Sequence, residues 1–185
     1  MGRLLYLAIA SLDGYIADEQ GSFDWAAPDE EVHRFVNDIV RSVDTGLYGR
    51  GMYEVMVAWE TMDTSGEPEP MCDFAELWRS TDKIVYSTTL DAPASERTRI
   101  GRSFDAGAVE QMKAREDRDL SIGGPALAAH AFAAGLVDDV HLILAPVLVG
   151  SGKRALPETV RGDLELVDAG RFESGFVHLH HRAAR

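Results

Sequence analysis

Three strand ends in this 185-residue chain carry residues that can hold an anion. The apolar run Leu120–Ile122 stops on Gly123-Gly124-Pro125, and an Ala-rich stretch with helical character, Leu127–Ala134, follows at once. A strand ending in a glycine pair ahead of a helix leaves backbone N–H groups free beside the positive end of the helix dipole, which suits a pyrophosphate. The same residues also read as a plain tight turn with Pro125 in the first helical turn. The run Thr45–Tyr48 ends in Gly49-Arg50-Gly51, adding a guanidinium that can grip a phosphate through two parallel charge-assisted bonds. The run Lys83–Tyr86 ends in Ser87-Thr88-Thr89, a set of small hydroxyls. With Asp13-Gly14 closing the first apolar run, these strand ends can serve one ligand only if it lies along the carboxyl edge of a sheet, and a dinucleotide has about that length. Neither G-x-G-x-x-G nor a Walker pattern is present, which disfavours a strict Rossmann domain.

The elements needed to position such an edge are legible. Arg3 to Leu12 is nearly continuous apolar sequence, as expected of a central strand buried on both faces. Pro28 and three acids precede Val32, Phe35, Val36, Ile39, Val40 and Val43 at helical spacing. Further along, the pattern predicts a helix over Met52–Trp59, a helical patch at Phe74–Trp78, strands near Lys83–Ser87 and Thr98–Ser103, and a helix over Ala106–Arg115. Two antiparallel runs, Leu164–Asp168 and Gly175–His181, close the chain around a turn at Gly170–Ser174. The Gly-, Pro- and acid-rich stretch Asp63–Pro70 reads as a mobile loop. Strands alternating with helices imply a mostly parallel sheet covered on both faces, with an antiparallel C-terminal end, in a single domain over residues 1–185.

Charge narrows the function classes. Thirty-one acids against eighteen bases give a formal net charge of −13, which repels nucleic acid and anionic membrane surfaces. Cys72 is the single cysteine, so neither an internal disulfide nor a multi-cysteine metal site is expected, and no apolar run reaches the ~18 residues of a membrane span. No signal segment is visible at the N-terminus, so the cytoplasm is the expected compartment. His178 and His180 share a strand face, too few for a metal site, while His33, His130 and His141 read as isolated.

Taken in order, Ser11-Leu12-Asp13-Gly14-Tyr15-Ile16-Ala17, Leu47-Tyr48-Gly49-Arg50-Gly51-Met52-Tyr53-Glu54, Lys83 to Leu90, Ile122-Gly123-Gly124-Pro125 and the stretch from Leu136 to Gly152 resemble the dihydrofolate reductase-like superfamily. Within it the chain is most similar to the reductase domain of riboflavin biosynthesis proteins (the RibD C-terminal domain) and their free-standing relatives. The resemblance implies a three-layer α/β/α fold and an NADPH-dependent reductase, with the nicotinamide beside the Ile16-Ala17 backbone. It implies that Gly49, Arg50 and Met52 hold phosphates, that Ser87 and Thr88 lie by the adenosine and its 2′-phosphate, and that Gly123, Gly124, Pro125 and Ala126 cradle the pyrophosphate. A deazaflavin in place of NADPH stays open, and relatives suggest a homodimer.

In dihydrofolate reductases a Trp, a Pro and then an acid frame the pterin. Trp25, Pro28 and Glu30 keep that spacing, which offers Glu30 as the proton-donating acid and Trp25, Asp29 and Tyr53 as substrate contacts. Acids in a first helical turn also offset the dipole with no catalytic task. The expected substrate wall, Asp29 to Glu31 with the Asp63–Asp73 loop, is acidic and suits a small heterocycle or carbonyl compound better than the phosphorylated ribosylaminopyrimidine of riboflavin synthesis. The pathway reductase remains the alternative, and a non-catalytic nucleotide-binding module is the rival of another class. Zinc-dependent deaminase chemistry is excluded, because no His-x-Glu with Pro-Cys-x-x-Cys exists. Arg97, Arg99 and Arg102 are further cations that can face a 2′-phosphate.

Overall fold

Residues 1–115 and 117–184 are described by a computed structural model. Strand β1 (Leu4–Ser11) is central, and Leu4, Leu5, Tyr6, Ala10 and Ser11 are buried in it. A short strand, β2 (Tyr15–Ala17), follows its terminal turn. Helix α1 (Glu30–Val40) leads to β3 (Val43–Gly49), and α2 (Arg50–Met56), α3 (Ala58–Thr61) and α4 (Glu69–Ser80) lead to β4 (Asp82–Tyr86). Next come β5 (Thr98–Gly101), α5 (Ala106–Arg115), β6 (Asp119–Gly123), α6 (Pro125–Ala133) and β7 (Asp139–Ala145). The two-residue β8 (Lys153–Arg154) and the hairpin of β9 (Leu164–Arg171) and β10 (Val177–Ala183) complete the chain.

The main sheet runs β5-β4-β3-β6-β1-β7-β10-β9, parallel from β5 to β7 and antiparallel through β10 and β9. Alternation along the strands divides the core. Tyr6, Leu47 and Ile84 face α5 and α6, packing with Val109, Leu127 and Ala131. Their neighbours Leu7, Tyr48 and Val85 face the other way, toward Val32 and Val36 of α1, Tyr53 of α2 and Trp78 of α4. The expected three-layer α/β/α arrangement, with its antiparallel C-terminal end, is what forms. No helix of the described residues is long and apolar enough to cross a membrane.

Local departures have local causes. Val43 continues the apolar period of α1 but opens β3, because the helix stops at a cap on Arg41. The helix expected over Met52–Trp59 is two pieces, α2 and α3, divided at Val57. Helix α4 starts at Glu69, inside the stretch expected to be loop, with Pro70 in its first turn, where a missing N–H costs nothing.

Candidate functional site

The strand order arranges the candidate residues in a line. Along the carboxyl edge of the parallel strands, the loop after β4 (Ser87–Leu90) comes first. Gly49-Arg50 after β3 and Gly123-Gly124 after β6 come next, then Ser11–Ala17 after β1 and Pro146–Gly152 after β7. Four inter-strand steps of about 4.8 Å put roughly 19 Å between the two ends of this row.

At its middle, α6 begins with an N-cap at Gly124, φ 92°, and no side chain caps it. Its first intrahelical bond is Ala128 N–H to the Gly124 carbonyl, 3.0 Å, so the Gly124, Ala126 and Leu127 N–H groups precede the ladder and Pro125 has none to satisfy. The glycines themselves answer to the chain. A Cβ on Gly123 would lie 3.0 Å from the Tyr48 ring and 3.2 Å from Met52 Cγ, and Gly124 sits in the left-handed region. Side chains of the protein, and a backbone angle, already disfavour larger residues there, a task the expectation had given to a diphosphate.

Two guanidiniums grip the loop after β4. Arg50 Nη1 donates to Thr89 Oγ1 at 2.5 Å while its Nε pairs with Glu54 at 2.7 Å. From the other side, Arg102 Nη1 donates to the Ser87 and Leu90 carbonyls at 3.1 and 2.8 Å. Ser87 is buried, with its Oγ accepting from the Thr89 and Leu90 N–H groups, and Thr88 is exposed at the tip. Of the three arginines singled out near here, Arg102 alone reaches the turn; Arg97 pairs with Asp82 and Arg99 contacts Met112.

At the far end a cleft of about 260 Å³ opens between two loops. Asp18, Glu19 and Gln20, directly after Ile16 and Ala17 of β2, form one wall; Val147, Leu148 and Val149 form the other, with Trp25 and Ser151. No Lys, Arg or His is among these lining residues. Among the described residues the buried Trp25 indole N–H has no acceptor.

Three residues expected on the substrate side lie outside the cleft lining. Asp29 is the N-cap of α1, accepting from Val32 N–H at 2.8 Å; the Ser174 hydroxyl, then that N–H, hold its carboxyl below the ordinary value. Tyr53 is 2% exposed, and its hydroxyl is shared between Ser95 Oγ and the Ala94 N–H, so it belongs to the core. Glu30 does not line the cleft, since its side chain is 66% exposed and 4.0 Å from Arg34 on the next turn. The acids of the cleft are Asp18 and Glu19 instead, and the 63–73 segment contributes none of its lining.

One cluster lies elsewhere. His141, expected to be isolated, stacks on His180 with centroids 4.1 Å apart, and its Nδ1 is 3.1 Å from His178 Nε2. His180 Nε2 in turn lies 2.7 Å from the buried Asp139. The pairing of β7 with β10 sets these rings together. Burial, followed by the charges of His180 and His178, pushes His141 down to about 4.

Comparisons with known proteins agree with this fold. The chain is 28% identical over 180 residues to the uncharacterized protein YyaP of Bacillus subtilis (strain 168), covering 96% of this chain and 93% of that one. Its fold matches a putative riboflavin biosynthesis protein from Shewanella sp. PV-4, with TM-score 0.77, 19% identity and 99% of both chains covered. It also matches a pyrimidine reductase-like protein from Corynebacterium diphtheriae, with TM-score 0.63, 16% identity, and 100% and 92% covered. Residues 4–177 match the RibD C-terminal domain, and the chain belongs to that family.

Proposed function

We propose that the protein is an NADPH-dependent reductase acting on a small non-phosphorylated substrate, either a pterin- or pyrimidine-like heterocycle or a carbonyl compound. The observation that carries this reading is the single row along the carboxyl edge, running from a loop held by two guanidiniums, through an uncapped helix start, to a cleft. These residues fit NADPH. Arg50, Arg102 and Thr88 would meet the 2′-phosphate end, the Gly124, Ala126 and Leu127 amides the diphosphate, and the Ile16–Ala17 backbone the nicotinamide. When bound, the cofactor supplies the hydride, and the chain supplies position.

The charge of the cleft supports this substrate class. Asp18 and Glu19 set a negative potential beside Trp25 and Leu148, which opposes a second phosphate and favours a neutral or weakly basic ring.

The riboflavin-pathway reductase is the second reading, and one observation favours it: Lys153 and Arg154 stand on β8, paired with Ala17 and Tyr15, within the same loop system. Fluorescence titration with NADPH and NADH followed by turnover on paired phosphorylated and dephosphorylated ribosylaminopyrimidines separates the readings. We expect NADPH to bind more tightly than NADH, and Arg50→Ala to lose roughly ten- to 150-fold in NADPH affinity with little change in stability. Faster reduction of the phosphorylated pyrimidine, abolished by Lys153→Ala, would give the site to the pathway substrate. NADPH binding without turnover on any candidate would leave a nucleotide-binding module.

A further inference from the structure

We infer that Asp13 is a positioning residue that locks the two walls of the cleft to each other and to the strand carrying Ile16 and Ala17. It accepts the Ser11 hydroxyl at 2.6 Å through Oδ1. The Val149 N–H reaches both carboxylate oxygens, at 3.1 and 3.2 Å, and the Gly150 N–H reaches Oδ2 at 2.7 Å. Ser11 Oγ in turn accepts the Tyr15 N–H at 2.9 Å. A continuous line of bonds therefore runs from the first residue of β2, through Ser11 and Asp13, to the 149–150 backbone across the cleft.

Around this node the two loops touch through their backbones. Leu12 N–H donates to the Val147 carbonyl, and Ala155 N–H to the Gly14 carbonyl, each at 2.9 Å. Strand β2 pairs with β8. A Cβ on Gly152 would fall 2.7 Å from Asp18 Cα and closer still to the Ala17 carbonyl, so only glycine fits there. Asp13 is the charged acceptor among these ties, and its charge suits the task, because two converging N–H groups and the Ser11 hydroxyl all donate to it. The same donors hold its carboxyl down to about 2, so the tie persists across the ordinary pH range.

The consequence is a preformed site. Asp18–Gln20 and Val147–Val149, the two walls, keep their spacing without waiting for a ligand, and a reaction that needs a nicotinamide and a ring held face to face gains from such fixed geometry. Asp13 is not among the residues lining the cleft. This inference rests on the NADPH reading for its functional part and on the hydrogen bonds alone for its structural part.

The test compares wild type with Asp13→Asn, which keeps the size but turns an N–H donor toward backbone donors, and with Asp13→Ala. Calorimetry measures binding of NADPH and of 2′-phospho-ADP-ribose, which has no nicotinamide, while hydrogen exchange reads the Val149 and Gly150 amides. We expect NADPH affinity to fall about tenfold or more, with 2′-phospho-ADP-ribose within about twofold of wild type, and both amides to exchange faster. Equal losses for the two ligands, or no loss for either, overturn the positioning role. Should wild type bind neither ligand, the NADPH reading fails, and the exchange data still decide the tie: unchanged exchange at Val149 and Gly150 in Asp13→Asn overturns it. Should Asp13→Ala not fold, the near-isosteric Asp13→Asn carries both measurements.

Discussion

The Tyr48 ring packs against the site of the absent Gly123 side chain, since a Cβ on Gly123 would stand 3.0 Å from Tyr48 Cδ1. The same ring covers Gly46 on its own strand, where a Cβ would come within 2.6 Å of Cε2. Tyr48 is wedged further by Trp78, centroids 5.5 Å apart, so it has little room to retreat. Gly123→Ala should therefore destabilise the nucleotide-free protein by about 1–3 kcal/mol through overpacking. Gly124→Ala, forced into the left-handed region at φ 92°, should cost about 1–2 kcal/mol. Urea unfolding without nucleotide checks both. Unchanged stability with lost NADPH binding would return these glycines to the ligand.

What could be read beforehand divides by range. Helix α5 has the bounds the pattern predicts, Ala106–Arg115, because its signals are local, with the Asp105 carboxylate accepting the Gly107 and Ala108 N–H groups at its start. The strand ends at Gly49, Ser87 and Gly123 were legible for the same reason. Strands β2 and β8 were not, as three and two residues carry no period. The meeting of His141 with His178 and His180 depends on the register of strands far apart in sequence, with His180 opposite His141. That Asp18 lines the cleft and Glu30 does not has a similar origin, because it depends on how the loop after β2 folds against the loop after β7.

The histidine stack predicts a pH dependence. Burial holds His141 near 4, against 6.5 when unfolded, and burial lowers His178 as well. Between those values the unfolded chain binds the proton and the folded one does not, so stability is fullest above about pH 6.5 and falls as pH drops toward 4. The surrounding groups are His180 and His178 on β10, Asp139 on β7 and Arg3 before β1. Each such histidine contributes a slope of at most about 1.4 kcal/mol per pH unit. Urea midpoints from pH 7 to pH 4.5 should show the decline, and His141→Phe should flatten it. An equally steep decline in that variant would assign the effect to other groups.

The β9 edge predicts association. All eight of its residues are exposed, with Leu164 at 42%, Leu166 at 60% and Val167 at 45%. Phe172 and Phe176, expected on the same edge, instead pack into the core beside α1. An open strand with apolar side chains offers an edge that a second copy related by a two-fold axis can complete. Light scattering at micromolar concentration should return the mass of two chains, and Leu166→Lys should return the mass of one while remaining folded. A wild-type mass of one chain would remove the dimer.

The two candidate acids predict opposite outcomes. Glu30 stands in solvent beside Arg34, and exposed pairs of this kind are worth little, so Glu30→Gln should leave turnover within about twofold of wild type and stability within about 0.5 kcal/mol. Asp18 is different, because its Oδ1 accepts the Gln20 and Ser22 N–H groups at 2.9 and 2.8 Å while its side chain forms part of the cleft wall. Asp18→Asn keeps the turn's shape and removes the charge, so it should lower kcat/KM for a weakly basic ring by about tenfold and barely change it for a neutral one. Steady-state kinetics with a substrate pair differing only in ring basicity checks this, with NADPH affinity measured alongside as a control. A large loss in Glu30→Gln with Asp18→Asn unimpaired would show that α1 closes on the substrate during turnover and that its first residue is the acid.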